Sequence, residues 1–340
     1  MKRTPTDLIR MWYWSGAILV FIILVIGGIT RLTQSGLSIV EWSPIMGIIP
    51  PLSQADWEAA FEQYRQFPEY QQLNRGMSMS EFQFIFFWEY LHRLVARIIG
   101  LVFLIPFIYF AWKKYLDRRQ FKRAVLLFGL GFAQGFMGWF MVMSGLNEDP
   151  FVSPYRLGMH LMLAFVIFGC CVWFALDLRP QSGGPSKIPD GFKKLLVGLL
   201  SLTVVQIFWG ALVAGHKAGY IANTFPKMNG RWIPETAWIL DPVIINFFQN
   251  PVTVQWMHRL LGTLVLLFAI WLMVKAMVSD ASPTIKRWTA VLLGVISIQY
   301  VTGILTLLLH VPVSLGVLHQ ALAMILFGVF LGFLHYLKRA

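Results

Sequence analysis

Eight apolar runs, each about long enough to cross a hydrocarbon core, dominate this 340-residue chain and leave it few folds to choose from. A spanning helix needs about 20 predominantly apolar residues. Such runs lie at 11–30, 83–112, 124–144, 154–177, 193–214, 252–277, 287–309 and 313–337. Lipid offers no partner to a backbone amide, so an isolated run of this kind must bond to itself as a helix. The composition, 57% hydrophobic and 13% charged, excludes a soluble domain of this length. We expect an all-α integral membrane protein with eight transmembrane helices.

The net charge of +12 would suggest nucleic acid in a soluble protein, but here the basic residues sort by loop. Lys2, Arg3 and Arg10 precede the first run. Lys113, Lys114, Arg118, Arg119, Lys122 and Arg123 join the second and third. Arg179, Lys187, Lys193 and Lys194 join the fourth and fifth, Lys275, Lys286 and Arg287 the sixth and seventh, and Lys338 and Arg339 end the last. By the positive-inside rule these loops and both termini are cytoplasmic, and no nucleic acid partner is needed. The loops at 31–82 and 215–251 carry most of the acids, among them Glu41, Asp56, Glu69 and Asp241, and should face the periplasm. Neither a cleavage site nor a transit segment is recognisable, so the first run is expected to stay as a helix of a multi-pass protein in a bacterial inner membrane. Cys170 and Cys171 are read as packing residues, and the absence of C-x-x-C-H gives no sign of covalently attached haem.

A stretch rich in Pro, Gly and Ser at about 178–192 splits the helices four and four, giving two expected domains, 1–180 and 181–340. Each repeats the same marks. "EYLHRLVARIIG" in the second helix matches "QWMHRLLGTLVL" in the sixth, and "SPYRLGMHLMLAF" in the fourth matches "PVSLGVLHQALAM" in the eighth. His92-Arg93 therefore answers to His258-Arg259, and His160 to His319. Gln134/Gly138, Gln206/Gly210 and Gln299/Gly303 share a Gln-x-x-x-Gly spacing, read as close helix packing. Gly27-Gly28 offers a small-residue face for internal packing or for a homo-oligomer. Four helices per half imply two pseudo-symmetric four-helix bundles related by an axis along the membrane normal.

His160 lies six residues past Pro154, and His258 and His319 lie seven past Pro251 and Pro312. Ser153 and Asn250 are the expected N-caps. At 1.5 Å per residue these imidazoles sit about 10 Å inside the outer helix ends. The second helix should start at the Ser78-x-x-Glu81 capping box, which puts His92 somewhat deeper. Ionisable groups at such depth are costly and functional by default, so four at matched places point to ligands. Two imidazoles from facing helices, with no cysteine or acidic cluster, make a poor structural zinc site, which takes four ligands. They fit the axial positions of a haem iron in an apolar bundle, as the pairs His92/His160 and His258/His319. His216, His310 and His335 lie near helix ends, where a wetted imidazole costs little.

The halves differ in one respect that suggests chemistry. Glu89 precedes His92 by three residues and shares its helix face, whereas the residue three before His258 is Gln255. A pure electron carrier has no need of this difference. An enzyme would use the carboxylate to accept a proton, position water or stabilise a developing positive charge, so Glu89 is the candidate catalytic residue. The alternative is an acid paired structurally with Arg93 or Arg97. Arg31, Arg93 and Arg259 are candidate bidentate partners for haem propionates, with snorkelling or structural pairing as the alternative for each.

These residues resemble the haem A synthase family, in the branch shared by many proteobacteria, Bacteroidetes and mitochondria. The resemblance is carried by "GGITRLTQSGLSIVEWSPIMGIIPP" at 27–51, "EYLHRLVARIIG" at 89–100, "QGFMGWFMVMSGL" at 134–146, "AGHKAGYIANTFPKMNGRWIP" at 214–234, "FFQNPVTVQWMHRLLG" at 247–262 and "LHQALA" at 318–323. It implies conversion of haem O to haem A, by oxidation of the ring C8 methyl to a formyl group through two successive hydroxylations. It also implies haem ligands at His92, His160, His258 and His319 and a reactive glutamate at Glu89. Substrate haem is then expected in the first half, and a permanent haem b in the second passes electrons to an acceptor, for which a quinone is a candidate. The implied partners are the haem O synthase (protohaem farnesyltransferase) that makes the substrate, and oxidase assembly factors. Some members carry a cysteine pair in the first outer loop. Residues 31–82 have none, so no loop disulfide relay is expected. Two other classes stay open: a non-enzymatic di-haem b electron carrier linked to quinone, and a haem carrier, which buried bis-His cages disfavour.

Overall fold

The computed structural model describes residues 3–41, 46–147, 150–180 and 187–339. Among them, eight helices are long and apolar enough to cross a membrane. They are α1 (Pro5–Leu32), α2 (Met79–Trp112), α3 (Arg118–Val142), α4 (Pro154–Asp177), α5 (Phe192–Gly215), α6 (Pro251–Val278), α7 (Pro283–Leu308) and α8 (Val313–Arg339). The chain is thus an all-α, multi-pass membrane protein. Part of the expected 178–192 linker, residues 181–186, and part of the first outer-loop motif, 42–45, lie outside the described residues.

The helix starts follow from local chemistry. Ser78 and Glu81 form the expected capping box: Ser78 N–H donates to Glu81 Oε2 at 2.8 Å, and Glu81 N–H donates to Ser78 Oγ at 3.4 Å. Asn250 Oδ1 accepts from Val252 N–H at 3.0 Å and opens α6 at Pro251. The third helix begins six residues before its apolar run, because Asp117 Oδ1 accepts from Gln120 N–H at 2.7 Å. Arg118, Arg119, Lys122 and Arg123, expected in a loop, therefore occupy the first turns of α3.

The contacts form two compact units, one of Ser15–Ile167 and the other of residues up to Trp14 together with Phe168 onward. In the second unit α5 packs on α6 and α8, and α7 packs on α6 and α8, so four helices close a ring. Its apolar core fills one end of the ring: Phe192 and Leu196 start α5, Leu272 and Ala276 end α6, Ile285 starts α7, and Phe330 and Phe333 end α8. At the opposite end the helices carry His258 and His319. His335, expected at a wet helix end, is instead 5% exposed. Its Nε2 lies 3.1 Å from Asp177 Oδ1, which supplies the polar partner that burial requires.

In the first unit the outer loop folds back on α2. A short helix, Gln54–Arg65, sets Phe61 and Tyr64 against Phe82, Ile85 and Phe86, with the rings of Phe61 and Phe82 stacked at 4.8 Å. The buried Tyr64 hydroxyl donates to Glu69 Oε2 at 3.0 Å and accepts from Asn74 Nδ2 at 2.7 Å. Burial, together with the neighbouring Glu69 carboxylate, raises the Tyr64 pKa. Outward side chains such as Phe132, 82% exposed, belong on a surface facing lipid.

Candidate functional site

Glu89 is 3% exposed, and its carboxylate is fully engaged. Ser38 Oγ and Ile39 N–H donate to Oε2 at 2.7 and 2.9 Å, and Arg93 Nη2 donates to Oε1 at 2.6 Å. Arg93 is one turn from Glu89 on α2, so the pair meets by helical spacing alone. Arg93 also donates to the carbonyls of Ile39 at 2.7 Å and Glu41 at 3.1 Å, which ties the outer loop to α2. A cavity of about 270 Å³ borders this cluster, lined in part by Ser38, Ile39, Glu41, Tyr90, Arg93 and Arg97.

The corresponding place on α6 has the opposite polarity. Gln255, 2% exposed, donates through Nε2 to the carbonyls of Ala218 at 2.8 Å and Ala222 at 3.2 Å. Its Oε1 accepts from Arg259 Nη2 at 3.1 Å. Arg259, like Arg93, holds its outer loop, donating to the carbonyls of Ala222 and Thr224 at 2.7 Å each. Its buried Nε has no protein partner. Arg31 is half-buried in the last turn of α1.

Each of the four histidines is backed by a glycine of a neighbouring helix. A Cβ on Gly27 would stand 2.9 Å from Cε1 of His92, one on Gly138 3.2 Å from His160, one on Gly210 3.1 Å from His258 and one on Gly303 2.8 Å from His319. Sequence reasoning read three of these glycines as helix packing. The structure shows that what they admit is an imidazole ring. Each ring also faces the backbone of the residue one turn before its glycine, Ile23, Gln134, Gln206 or Gln299. Nδ1 of His92, His258 and His319 has no hydrogen-bond partner. The glutamines add a second contact, from Nε2 to the backbone carbonyl of the histidine: 3.2 Å at His160, 2.9 Å at His258 and 3.0 Å at His319.

The expected pairs come together. His92 lies within electrostatic reach of His160. The ring centres of His258 and His319 are 6.5 Å apart, with planes at 80°. Two imidazoles on opposite sides of one metal, each bonded at about 2.0–2.1 Å, put their ring centres about 6.3 Å apart. Among the described residues no three His, Cys, Asp or Glu side chains converge, so the donor set is a pair of imidazoles. That pair of neutral donors fits a haem iron and not a closed zinc site, which takes four ligands. His216 bonds the Phe248 carbonyl at 2.8 Å, and His310, with φ +60°, lies at the end of α7. Neither joins the pairs. Ser38, Ile39 and the three glutamines are the functional candidates that sequence reasoning missed. Only the Gln-x-x-x-Gly register pointed to any of them.

Fold and site define a polytopic helical membrane protein with two pairs of half-buried imidazoles, one pair near a fully bonded carboxylate. Residues 10–331 match the family model COX15-CtaA, described as cytochrome oxidase assembly protein, and the chain belongs to that family. It is 45% identical to the heme A synthase of Bradyrhizobium sp. (strain BTAi1 / ATCC BAA-1182), over 95% of this chain and 90% of that one. It is 44% identical to the heme A synthase of Parvibaculum lavamentivorans and 46% identical to that of Nitrosospira multiformis, each over 97% of this chain and 94% of the relative.

Proposed function

We propose that this chain is a haem A synthase, which takes haem O between His92 and His160 and oxidises its C8 methyl to a formyl group by two successive hydroxylations and loss of water. The observation that supports this reading most is the reversal of polarity between Glu89 and Gln255. One half keeps a buried acceptor beside its imidazole pair where the other keeps a neutral amide.

Each residue then has a task that its surroundings support. His92, His160, His258 and His319 would hold iron through a ring nitrogen, each ring set in place by the glycine of the helix beside it. Glu89, anchored by Ser38, Ile39 and Arg93, takes up a proton from the methyl carbon or from water at the site. A b-type haem held by His258 and His319 would supply electron transfer to an acceptor, for which we propose a quinone. Arg31, Arg93 and Arg259 are proposed to meet propionates. The unpartnered Nε of Arg259 supports this for the second site. The halves, 1–180 and 181–340, are proposed as related bundles in a bacterial inner membrane, with basic loops and termini cytoplasmic and the haem sites toward the periplasm. A haem O synthase, oxidase assembly factors and further copies of the chain are the proposed partners.

The test is conversion by Glu89→Gln in cells that make haem O. We expect conversion to fall at least about 100-fold, with haem O and haem B still bound. A glutamine must turn an N–H toward Ser38 and Ile39 or toward Arg93, all donors, so Glu89→Asp serves as the companion and should recover part of the activity. Full conversion by Glu89→Gln would remove Glu89 from the chemistry.

A further inference from the structure

Helix α5 grips His258 in a way that α1 does not grip His92. Gln206 Nε2 donates to the His258 carbonyl at 2.9 Å and lies 3.4 Å from the ring Nε2. Gly262, four residues after His258, leaves this amide its room, since a Cβ there would stand 3.1 Å from Gln206 Nε2 and push it back by a few tenths of an ångström. His160 and His319 are held likewise, with the amides of Gln134 and Gln299 at 3.3 and 3.4 Å from the ring Nε2. In α1 the residue four before the backing glycine is Ile23, whose side chain has no donor, while the residue four after His92 is Ala96, an alanine like Ala164 and Ala323 at the clamped His160 and His319. The tie between α1 and α2 falls one turn further out, where Thr30 Oγ1 donates to the Trp88 carbonyl at 3.2 Å. The matching α5 residue is Val213.

We propose that His92 is the exchangeable axial ligand, the one whose bond to iron breaks as haem O enters and product leaves, because Ile23 withholds the clamp that Gln206 applies to His258. This rests on the function proposed above. An amide bonded to a ligand's own backbone and resting against its ring restricts ring rotation, and loss of such outer contacts typically weakens metal binding 10–100-fold. A haem that stays is held by two clamped imidazoles, Gln206 on His258 and Gln299 on His319. A haem that must turn over is clamped on His160 alone. The imidazole leaves as a neutral ligand, so no electron or proton is transferred in the exchange.

The test transplants the clamp in both directions. Full-length protein is purified from membranes of cells that make haem O and mixed with excess apomyoglobin, and the haems captured over time are identified by mass. Ile23→Gln with Ala96→Gly should slow capture of haem O and haem A about tenfold and leave capture of haem B unchanged. Gln206→Leu with Gly262→Ala should speed capture of haem B about tenfold. Ile23→Gln alone should slow haem O in the same direction by less. Slower release on gaining a clamp is not a result that a damaged fold produces. Release of haem O within twofold of the parent in both Ile23 variants overturns the inference while leaving the synthase reading intact. Preparations that hold haem B alone, with haem O present in the cells, overturn both.

Discussion

Glu89 and Gln255 stand at the same place on α2 and α6, three residues before a histidine and four before an arginine that secures an outer loop. Around Glu89 the loop turns a hydroxyl and an N–H inward. Around Gln255 it turns in two carbonyls. The lesson is that the acid is a property of its whole neighbourhood, since the loop backbone is arranged to suit one residue or the other. Neither can stand in for its counterpart without leaving a buried polar group badly paired. The histidines repeat the contrast: α5 offers His258 a side-chain amide where α1 offers His92 the apolar side chain of Ile23.

The largest effect after Glu89→Gln is expected from forcing the first half's residue on the second. Gln255→Glu sets a buried carboxylate against the Ala218 and Ala222 carbonyls, and should destabilise the protein by about 3 kcal/mol. Thermal unfolding of the purified protein, followed through release of haem B, measures this. Unchanged stability would mean that the loop readily reverses its polarity and that the comparison is shallow. Gly303→Ala comes next. Its Cβ would meet His319 Cε1 at 2.8 Å, an overpacking expected to cost about 2 kcal/mol and to remove the low-spin signal of the second-half haem. Gly138→Ala, at 3.2 Å from His160, should do less to the first. Ser38→Ala should have the smallest effect, because Ile39 N–H and Arg93 still hold Glu89. It should lower stability by about 1.5 kcal/mol and conversion about tenfold, with both haems retained. Loss of haem from this variant would make Ser38 a binding residue and not a holder of Glu89.

Much of the fold was legible because lipid leaves a long apolar run only one backbone conformation, and because capping signals such as Ser78-x-x-Glu81 and Asn250-Pro251 are local. The start of α3 was not, since the Asp117 cap lies in a charged stretch that carries no apolar periodicity. Placing His335 at a wet helix end failed for a related reason: its partner Asp177 is 158 residues away in the chain. The histidines and Glu89 stood out as ionisable groups in apolar helices. Ser38 and Ile39 lie about 50 residues from Glu89 in an outer loop without periodicity, so nothing in the sequence tied them to it. The Gln-x-x-x-Gly register was visible, but its target was not. Ile23 hid the fourth instance by replacing the residue that marks the other three.

The most direct test of the central claim is the identity of the haems that the protein carries. The unaltered chain is purified from cells that also make haem O, its haems are extracted in acid solvent, and each is identified by mass. The account predicts haem A, or its hydroxylated precursor, together with haem B. Haem B alone, with haem O available and unaltered, would contradict it and make the chain a di-haem electron carrier.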